Sequence, residues 1–261
     1  MNNTSPVGFF DSGLGGISVL RGTIKLLPGE DYLYFGDSYH APYGVRPLEE
    51  VRELSLAAAA HLLERGVKAI VIACNTATSA AASCLREACP QIPIIGTEPA
   101  VKPAVERHPG GRILIMATPR TLKEKKFLDL WELHRERAEI VPVPCGGLME
   151  FVERGILRGE EPERFLRQLL APYRTEPVDA VVLGCTHYPF LTGVIRKVLG
   201  PGPEILDGAE GVARQLGRRL EELGLRNPRE NGGTVTFENS LDSTDILDLS
   251  RLLLDYREEQ M

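Results

Sequence analysis

The chain has 261 residues, 43% of them hydrophobic and 25% charged, proportions that suit an ordinary globular protein of one large domain or two small ones. Lys and Arg number 30 against 36 Asp and Glu, and the resulting net charge of −6 offers no electrostatic footprint for nucleic acid. No apolar run approaches the roughly 20 residues that span a bilayer, and Met1–Pro6 has neither the basic region nor the apolar stretch of a secretion signal.

Strand-like and helix-like stretches alternate along the sequence. Val7–Phe10 reads as a strand, followed by the glycine-rich turn Asp11-Ser-Gly-Leu-Gly-Gly16 and a helix through Leu26. Asp31–Phe35 is a second strand ending in Gly36-Asp37-Ser38, and Pro47–Arg65 a helix whose Glu49 and Glu50 suit the positive end of its dipole. The strand Val67–Ala73, a helix from about Ser79 to Ala88 and a short strand Ile92–Ile95 complete a first series. A second series runs through a strand at Arg112–Met116, a helix at Leu122–Glu136, a strand at Glu139–Val143 and helices at Leu148–Arg154 and Glu161–Tyr173. The strand Val178–Leu183, a helix through Leu199 and a strand at Pro203–Leu206 follow. An amphipathic helix at Gly211–Leu223, a strand at Thr234–Phe237 and a helix at Ile246–Tyr256 close the chain. This alternation predicts mostly parallel sheets with right-handed crossovers. Gly96–Pro103, Pro201–Pro203 and Asn227–Gly233 are the candidate boundaries. The expected organisation is two α/β domains, residues 1–97 plus 212–261 forming the first and 98–211 the second, inserted one.

One phrase occurs twice. Val67-Lys-Ala-Ile-Val-Ile-Ala-Cys74-Asn-Thr76 aligns with Val178-Asp-Ala-Val-Val-Leu-Gly-Cys185-Thr-His187 at a constant offset (185 − 74 = 111). Each is an apolar run of the kind that forms a strand buried on both faces, and each stops abruptly in polar residues. Ligands bind at the carboxyl ends of the strands in open parallel sheets. Two half-chains, each offering one thiol at a strand end, suit a reaction in which a proton leaves one face of a carbon and returns on the other. A lone cysteine in an apolar run is usually an inert core residue, but the repetition argues otherwise here. An unperturbed thiol has a pKa near 8.5, so neighbouring groups must tune such a pair.

Other residues have plainer readings beside their functional ones. Asp11 and Ser12 at the first strand end either cap a turn or serve the thiol and an anion. The glycine run is a poor dinucleotide fingerprint, since Ser18 stands where G-x-G-x-x-G requires its third glycine. Cys185-x-His187 lacks the usual zinc-ligand spacing, so no metal is expected. His187 suits proton transfer near neutral pH. Pro42-Tyr43-Gly44 is either a simple turn or a rigid wall whose amides meet a substrate carboxylate. Cys84 and Cys89 read as packing residues, while Cys145 is ambiguous. Five cysteines without a C-x-x-C pair argue for reduced thiols and a cytoplasmic setting.

Four motifs in series carry a resemblance: Phe10-Asp-Ser-Gly-Leu-Gly-Gly16, Gly36-Asp-Ser-Tyr-His-Ala-Pro-Tyr-Gly44, Ala73-Cys-Asn-Thr-Ala-Thr78 and Gly184-Cys-Thr-His-Tyr-Pro189. From residue 7 to about 220 the chain resembles the bacterial glutamate racemases, within the cofactor-independent aspartate and glutamate racemases. The resemblance implies two pseudo-symmetric, doubly wound α/β domains with the active site in the cleft between them. It implies interconversion of L- and D-glutamate, supplying D-glutamate for peptidoglycan, with Cys74 and Cys185 as the two acid/bases. Asp11 would assist Cys74, His187 would assist Cys185, and Glu153 matches the family's auxiliary carboxylate. Asp11, Ser12, Tyr43, Gly44, Asn75, Thr76, Thr186 and His187 would contact the substrate. Gly146-Gly147 departs from the family's proline-containing stretch, and Phe237–Thr244 from its aromatic- and threonine-rich ending.

No cofactor is expected, since no lysine follows any of these strand ends to hold a pyridoxal group. Donors around the substrate carboxylate would then stabilise the charge that develops there. The alternatives are a racemase of aspartate or another small amino acid, or a non-catalytic amino-acid-binding module on the same fold. Glutamate is the expected partner, with neither nucleic acid nor membrane. The sequence does not fix the oligomeric state, and a homodimer is the assembly to test.

Overall fold

A computed structural model describes residues 2–257 of the chain. It divides into two compact units, one comprising the chain up to Glu98 together with Ala209–Asp255, the other Pro99–Gly208 together with the chain from Tyr256.

In the first unit the chain runs β1 (Val7–Asp11), α1 (Ile17–Leu26), β2 (Tyr32–Gly36), α2 (Leu48–Glu64), β3 (Ala69–Ile72), α3 (Asn75–Ala88) and β4 (Ile94–Gly96). In the second it continues as α4 (Val101–Arg107), β5 (Arg112–Ala117), α5 (Lys125–His134), β6 (Glu139–Pro144), α6 (Met149–Glu153), α7 (Glu160–Leu170), β7 (Ala180–Leu183), α8 (Thr192–Leu199) and β8 (Glu204–Asp207). It returns to the first unit through α9 (Ala209–Glu222), β9 (Val235–Asn239) and α10 (Thr244–Asp255). The two sheets have orders β4-β3-β1-β2-β9 and β6-β5-β7-β8, and every pairing is parallel. Read from opposite ends they share one order, with β1, β2, β3 and β4 answering to β5, β6, β7 and β8 and β9 added at one edge. The α/β class with parallel sheets is as the alternation of elements leads one to expect.

Side-chain alternation explains the layering. In the first unit Phe10, Leu33, Ile70 and Ile72 face a core completed by Val51, Ala59 and Leu62 of α2 and by Ala77 and Ala81 of α3. Gly8 permits the close approach of α2, since a β-carbon there would lie 3.1 Å from Leu62 Cδ1 and from Val67 Cγ1. In the second unit Ile113, Ile115, Ala180 and Val182 pack against Val101 and Val105 of α4 and Phe127 of α5. Continuous apolar strands such as Ala-Ile-Val-Ile in β3 and Ala-Val-Val-Leu in β7 are fully buried, as sheets covered on both faces require.

A buried ion pair ties the amino-terminal end of the first sheet together. Lys68 Nζ lies 2.5 Å from Glu30 Oε2, with the lysine side chain fully buried and the glutamate 1% exposed. Glu30 Oε1 also accepts the Asn227 N–H at 2.8 Å. Satisfying both charges locally makes their burial tolerable.

Several elements depart from the sequence reading. Helix α3 begins at Asn75, not Ser79, because Cys74 serves as its N-cap. Helix α4 occupies part of the expected linker Gly96–Pro103; Pro103 sits in its first turn, where a missing N–H costs nothing. Pro201–Pro203 lies within the second unit and Asn227–Gly233 within the first. Short 3-10 turns at Thr121–Lys123 and Tyr188–Leu191 precede α5 and α8.

Candidate active site

The first unit gathers polar residues at the carboxyl end of β1 and β3. Asp11 is fully buried there and accepts the Gly13 N–H at 3.1 Å. Gly16 is required beside it: a β-carbon at that position would stand 2.7 Å from Asp11 Cβ and 2.8 Å from Ala73 Cβ. Cys74, immediately beyond β3, accepts the Ala77 N–H at 3.5 Å from the first turn of α3, and its Sγ lies 3.6 Å from Ser12 Oγ as a donor. A helix amino terminus favours negative charge on a sulphur placed there. Asn75 and Thr76 follow in the same turn, and the Asn75 Oδ1 is buried without a hydrogen-bond partner. An acceptor left open at a strand end is available to an ammonium group.

Tyr43 and Gly44 lie on a 3-10 turn, Tyr43–Val45, reached from the end of β2. Tyr43 is buried, and its hydroxyl donates to Asp37 Oδ2 at 2.7 Å. Burial, with the hydrogen bond to Asp37 second, pushes the Tyr43 phenol far above its ordinary range. Its hydroxyl proton is therefore committed to Asp37, and its ring is packed in the first core. His40 Nδ1 is 2.9 Å from Asp37 Oδ1, so one buried carboxylate holds both side chains. In the sequence Asp37 reads only as a strand-end residue; an acid directly after a buried strand is the signal for it.

In the second unit the equivalent position beyond β7 carries Cys185, Thr186 and His187, all buried. His187 Nδ1 is 3.6 Å from Cys185 Sγ and its Nε2 is 2.6 Å from Glu153 Oε1. An ionised carboxylate only accepts, so Nε2 carries a proton; Nδ1 either accepts from the Cys185 thiol or, in the imidazolium, donates to its thiolate. Burial opposes that charge, but the contacts with Cys185 and Glu153 outweigh it and hold the His187 pKa well above its ordinary 6.5. Glu153 is the last residue of α6. The turn that delivers α6 passes through Gly147 at φ +85°, a conformation glycine adopts freely, so the Gly146-Gly147 departure still brings Glu153 to the histidine. The ambiguity at Cys145 resolves to structure: its Sγ is 3.2 Å from the Val143 carbonyl it donates to, and burial raises its thiol far above the usual range.

The two clusters are built on one register but differ in chemistry. The pairings Phe10 with Ile72 and Met116 with Leu183 make Ala117 the counterpart of Asp11. The 111-residue offset makes Thr76 the counterpart of His187. A carboxylate from the central strand accompanies the first thiol; an imidazole from the same loop, backed by a carboxylate, accompanies the second. Among the described residues no group of three or more His, Cys, Asp and Glu side chains is placed to hold a metal ion. No helix among them is long and apolar enough to cross a membrane.

Residues 16–216 match the Asp/Glu/hydantoin racemase family. The chain belongs to this family. A glutamate racemase of Clostridium perfringens is 49% identical to it over 253 residues, covering 97% of each chain. The crystal structure of a Bacillus anthracis glutamate racemase matches this Asp/Glu racemase family member with a TM-score of 0.86 at 31% identity, over 98% of this chain and 96% of that one. That of the Francisella tularensis glutamate racemase in complex with D-glutamate matches with a TM-score of 0.82 at 27% identity, over 97% and 95%.

Proposed function

We infer that the chain is a glutamate racemase, an isomerase interconverting L- and D-glutamate, and that it supplies D-glutamate for peptidoglycan. The observation that carries the chemistry is the repeated one: each parallel sheet delivers one buried thiol, Cys74 or Cys185, just beyond the corresponding strand.

Racemisation needs an acid/base on each face of Cα. In our reading the thiolate of one cysteine removes the proton and the thiol of the other returns a solvent-derived one, so each turnover exchanges their protonation states. Asp11 serves Cys74, and His187 with Glu153 serves Cys185. The carboxylate gains charge as the carbanion forms, and Ser12, Thr76, Thr186 and the amides near Gly44 are the donors we assign to it. The open Asn75 Oδ1 suits the substrate ammonium. Five free cysteines support a reducing, cytoplasmic setting. The homodimer belongs to the same reading and is tested by sedimentation equilibrium.

The deciding experiment is incubation of L-glutamate with the purified protein in heavy water, followed by proton NMR and chiral analysis. A racemase produces D-glutamate with deuterium at Cα and drives the mixture to equal enantiomers. L-Glutamate recovered without deuterium would refute the reading.

A further inference from the structure

We propose that the carboxyl end of β9, through Asn239 and Ser240, is the positioning element for the loop of residues 37–44. This rests on the reading that Tyr43 and Gly44 meet the substrate. It adds a part of the chain that the four site motifs do not include and that departs from the family's usual ending.

Strand β9 pairs with β2 at the edge of the first sheet, with Asn239 opposite Gly36. The Ser240 N–H continues the pairing to the Gly36 carbonyl at 2.9 Å. Beyond this point both side chains reach the loop. Asn239 Nδ2 donates to Ser38 Oγ at 2.9 Å, while its Oδ1 accepts the Leu241 N–H at 2.9 Å. Ser240 Oγ accepts the Tyr39 N–H at 2.9 Å. The amide of Asn239 is thereby fixed at both ends, and the consecutive loop residues Ser38 and Tyr39 are held by Asn239, the last residue of β9, and by Ser240 directly after it.

Gly36 is where the segments converge. A β-carbon there would lie 2.7 Å from the Gly13 carbonyl oxygen and 2.8 Å from Asn239 Nδ2. The Asp11–Gly16 turn and the end of β9 therefore close on β2 from either side. The Asp37 N–H donates to the Asp11 carbonyl at 2.9 Å, so the loop begins against the residue assigned to Cys74.

Polar contacts set the loop's position because apolar burial does not. Tyr39 is 67% exposed and Val45 76%. Tyr43 is the one loop side chain in the core, and it is oriented by Asp37. Removing the contacts from β9 leaves Ser38 and Tyr39 without a protein anchor on that side. The Gly44 amide then loses its set distance from the substrate carboxylate. The chemistry at the thiols is untouched, so the effect falls on KM.

The test combines kinetics with hydrogen exchange on the full chain. We expect Asn239→Ala and Ser240→Ala each to raise KM for both enantiomers about three- to tenfold, the effect of one net hydrogen bond, with kcat within about twofold. Ser240→Thr keeps the acceptor and should keep KM near wild type. Glutamate should slow amide exchange across Tyr43–Val45 in the wild type. If glutamate leaves those amides unprotected, the loop is not at the substrate, and the proposal falls together with the reading beneath it. If glutamate protects them but both alanine variants keep wild-type KM, or lose kcat instead, the loop reading stands and the role of β9 is overturned. A Ser240→Thr variant as impaired as Ser240→Ala would overturn it equally.

Discussion

Replacing Glu153 by Gln tests the second cluster most directly. The substitution keeps the shape and one hydrogen-bond acceptor but removes the charge facing His187 Nε2 at 2.6 Å. The Glu153 side chain is only 18% exposed and the His187 side chain 2%, so solvent screening is weak. A hydrogen bond between charged groups contributes about 1.5–3 kcal/mol. Losing the charged part of it lowers the His187 pKa toward its ordinary range, because burial then opposes the imidazolium with less to offset it. The assay is NMR titration of the labelled imidazole in wild type and variant, alongside the pH dependence of kcat. The wild-type histidine should titrate well above 6.5 and the variant closer to it. The same shift has a stability signature. A histidine whose folded pKa is raised contributes stability that is complete below its unfolded pKa of about 6.5 and is lost as pH rises through the folded value. Glu153→Gln should flatten that dependence on the alkaline side of pH 6.5 and leave the rest of the curve in place. An unmoved His187 titration, with kcat within twofold at every pH, would refute the dyad.

Cys74→Ser and Cys185→Ser should each lower racemisation by about 10²–10⁴-fold, since an alcohol replaces a general acid/base of far lower acidity. Near-wild-type turnover in either variant, followed by circular dichroism, would remove the two-thiol assignment. Asp11→Asn and His187→Asn should change kcat and KM unequally for the two enantiomers, although kcat/KM must stay balanced because the equilibrium constant is unity. Equal losses from both sides, with identical solvent isotope effects, would recast Asp11 and His187 as binding or structural groups. Gly16→Ala should destabilise the protein by about 1–3 kcal/mol through overpacking against Asp11 and Ala73, read as a lowered denaturation midpoint. An unchanged midpoint would show that α1 yields freely there.

What the sequence discloses is what repeats at short range. The paired strands at Val67 and Val178 are legible because buried parallel strands are unbroken apolar runs, and their cysteines stand out by repetition. The start of α3 is not legible: Asn75, Thr76, Thr78 and Ser79 are weak helix formers around the single Ala77, and what starts the helix there is the Cys74 sulphur accepting the Ala77 N–H. Helix α4 hides for a related reason, since Pro99 and Pro103 read as linker while Val101, Ala104 and Val105 are buried in the second core. Cys185 and His187 are two residues apart and can be read together. Asp37, which orients Tyr43, and Asn239 with Ser240, which hold Ser38 and Tyr39, act mostly across chain reversals. The contact of Tyr39 with Ser240 spans 201 residues and leaves no trace in local periodicity.

The insertion of one unit into the other has a consequence for synthesis on the ribosome. Residues 99–208 carry, in one continuous stretch, every strand of their own sheet. The unit begun first stays unfinished far longer: β2 has no neighbour on its outer side until β9 is made, and α1 has neither α9 nor α10 to pack against. Domains fold as units during translation. The order of completion therefore reverses the order of initiation, and Ser38 and Tyr39 receive their contacts from Asn239 and Ser240 only when Ser240 leaves the exit tunnel.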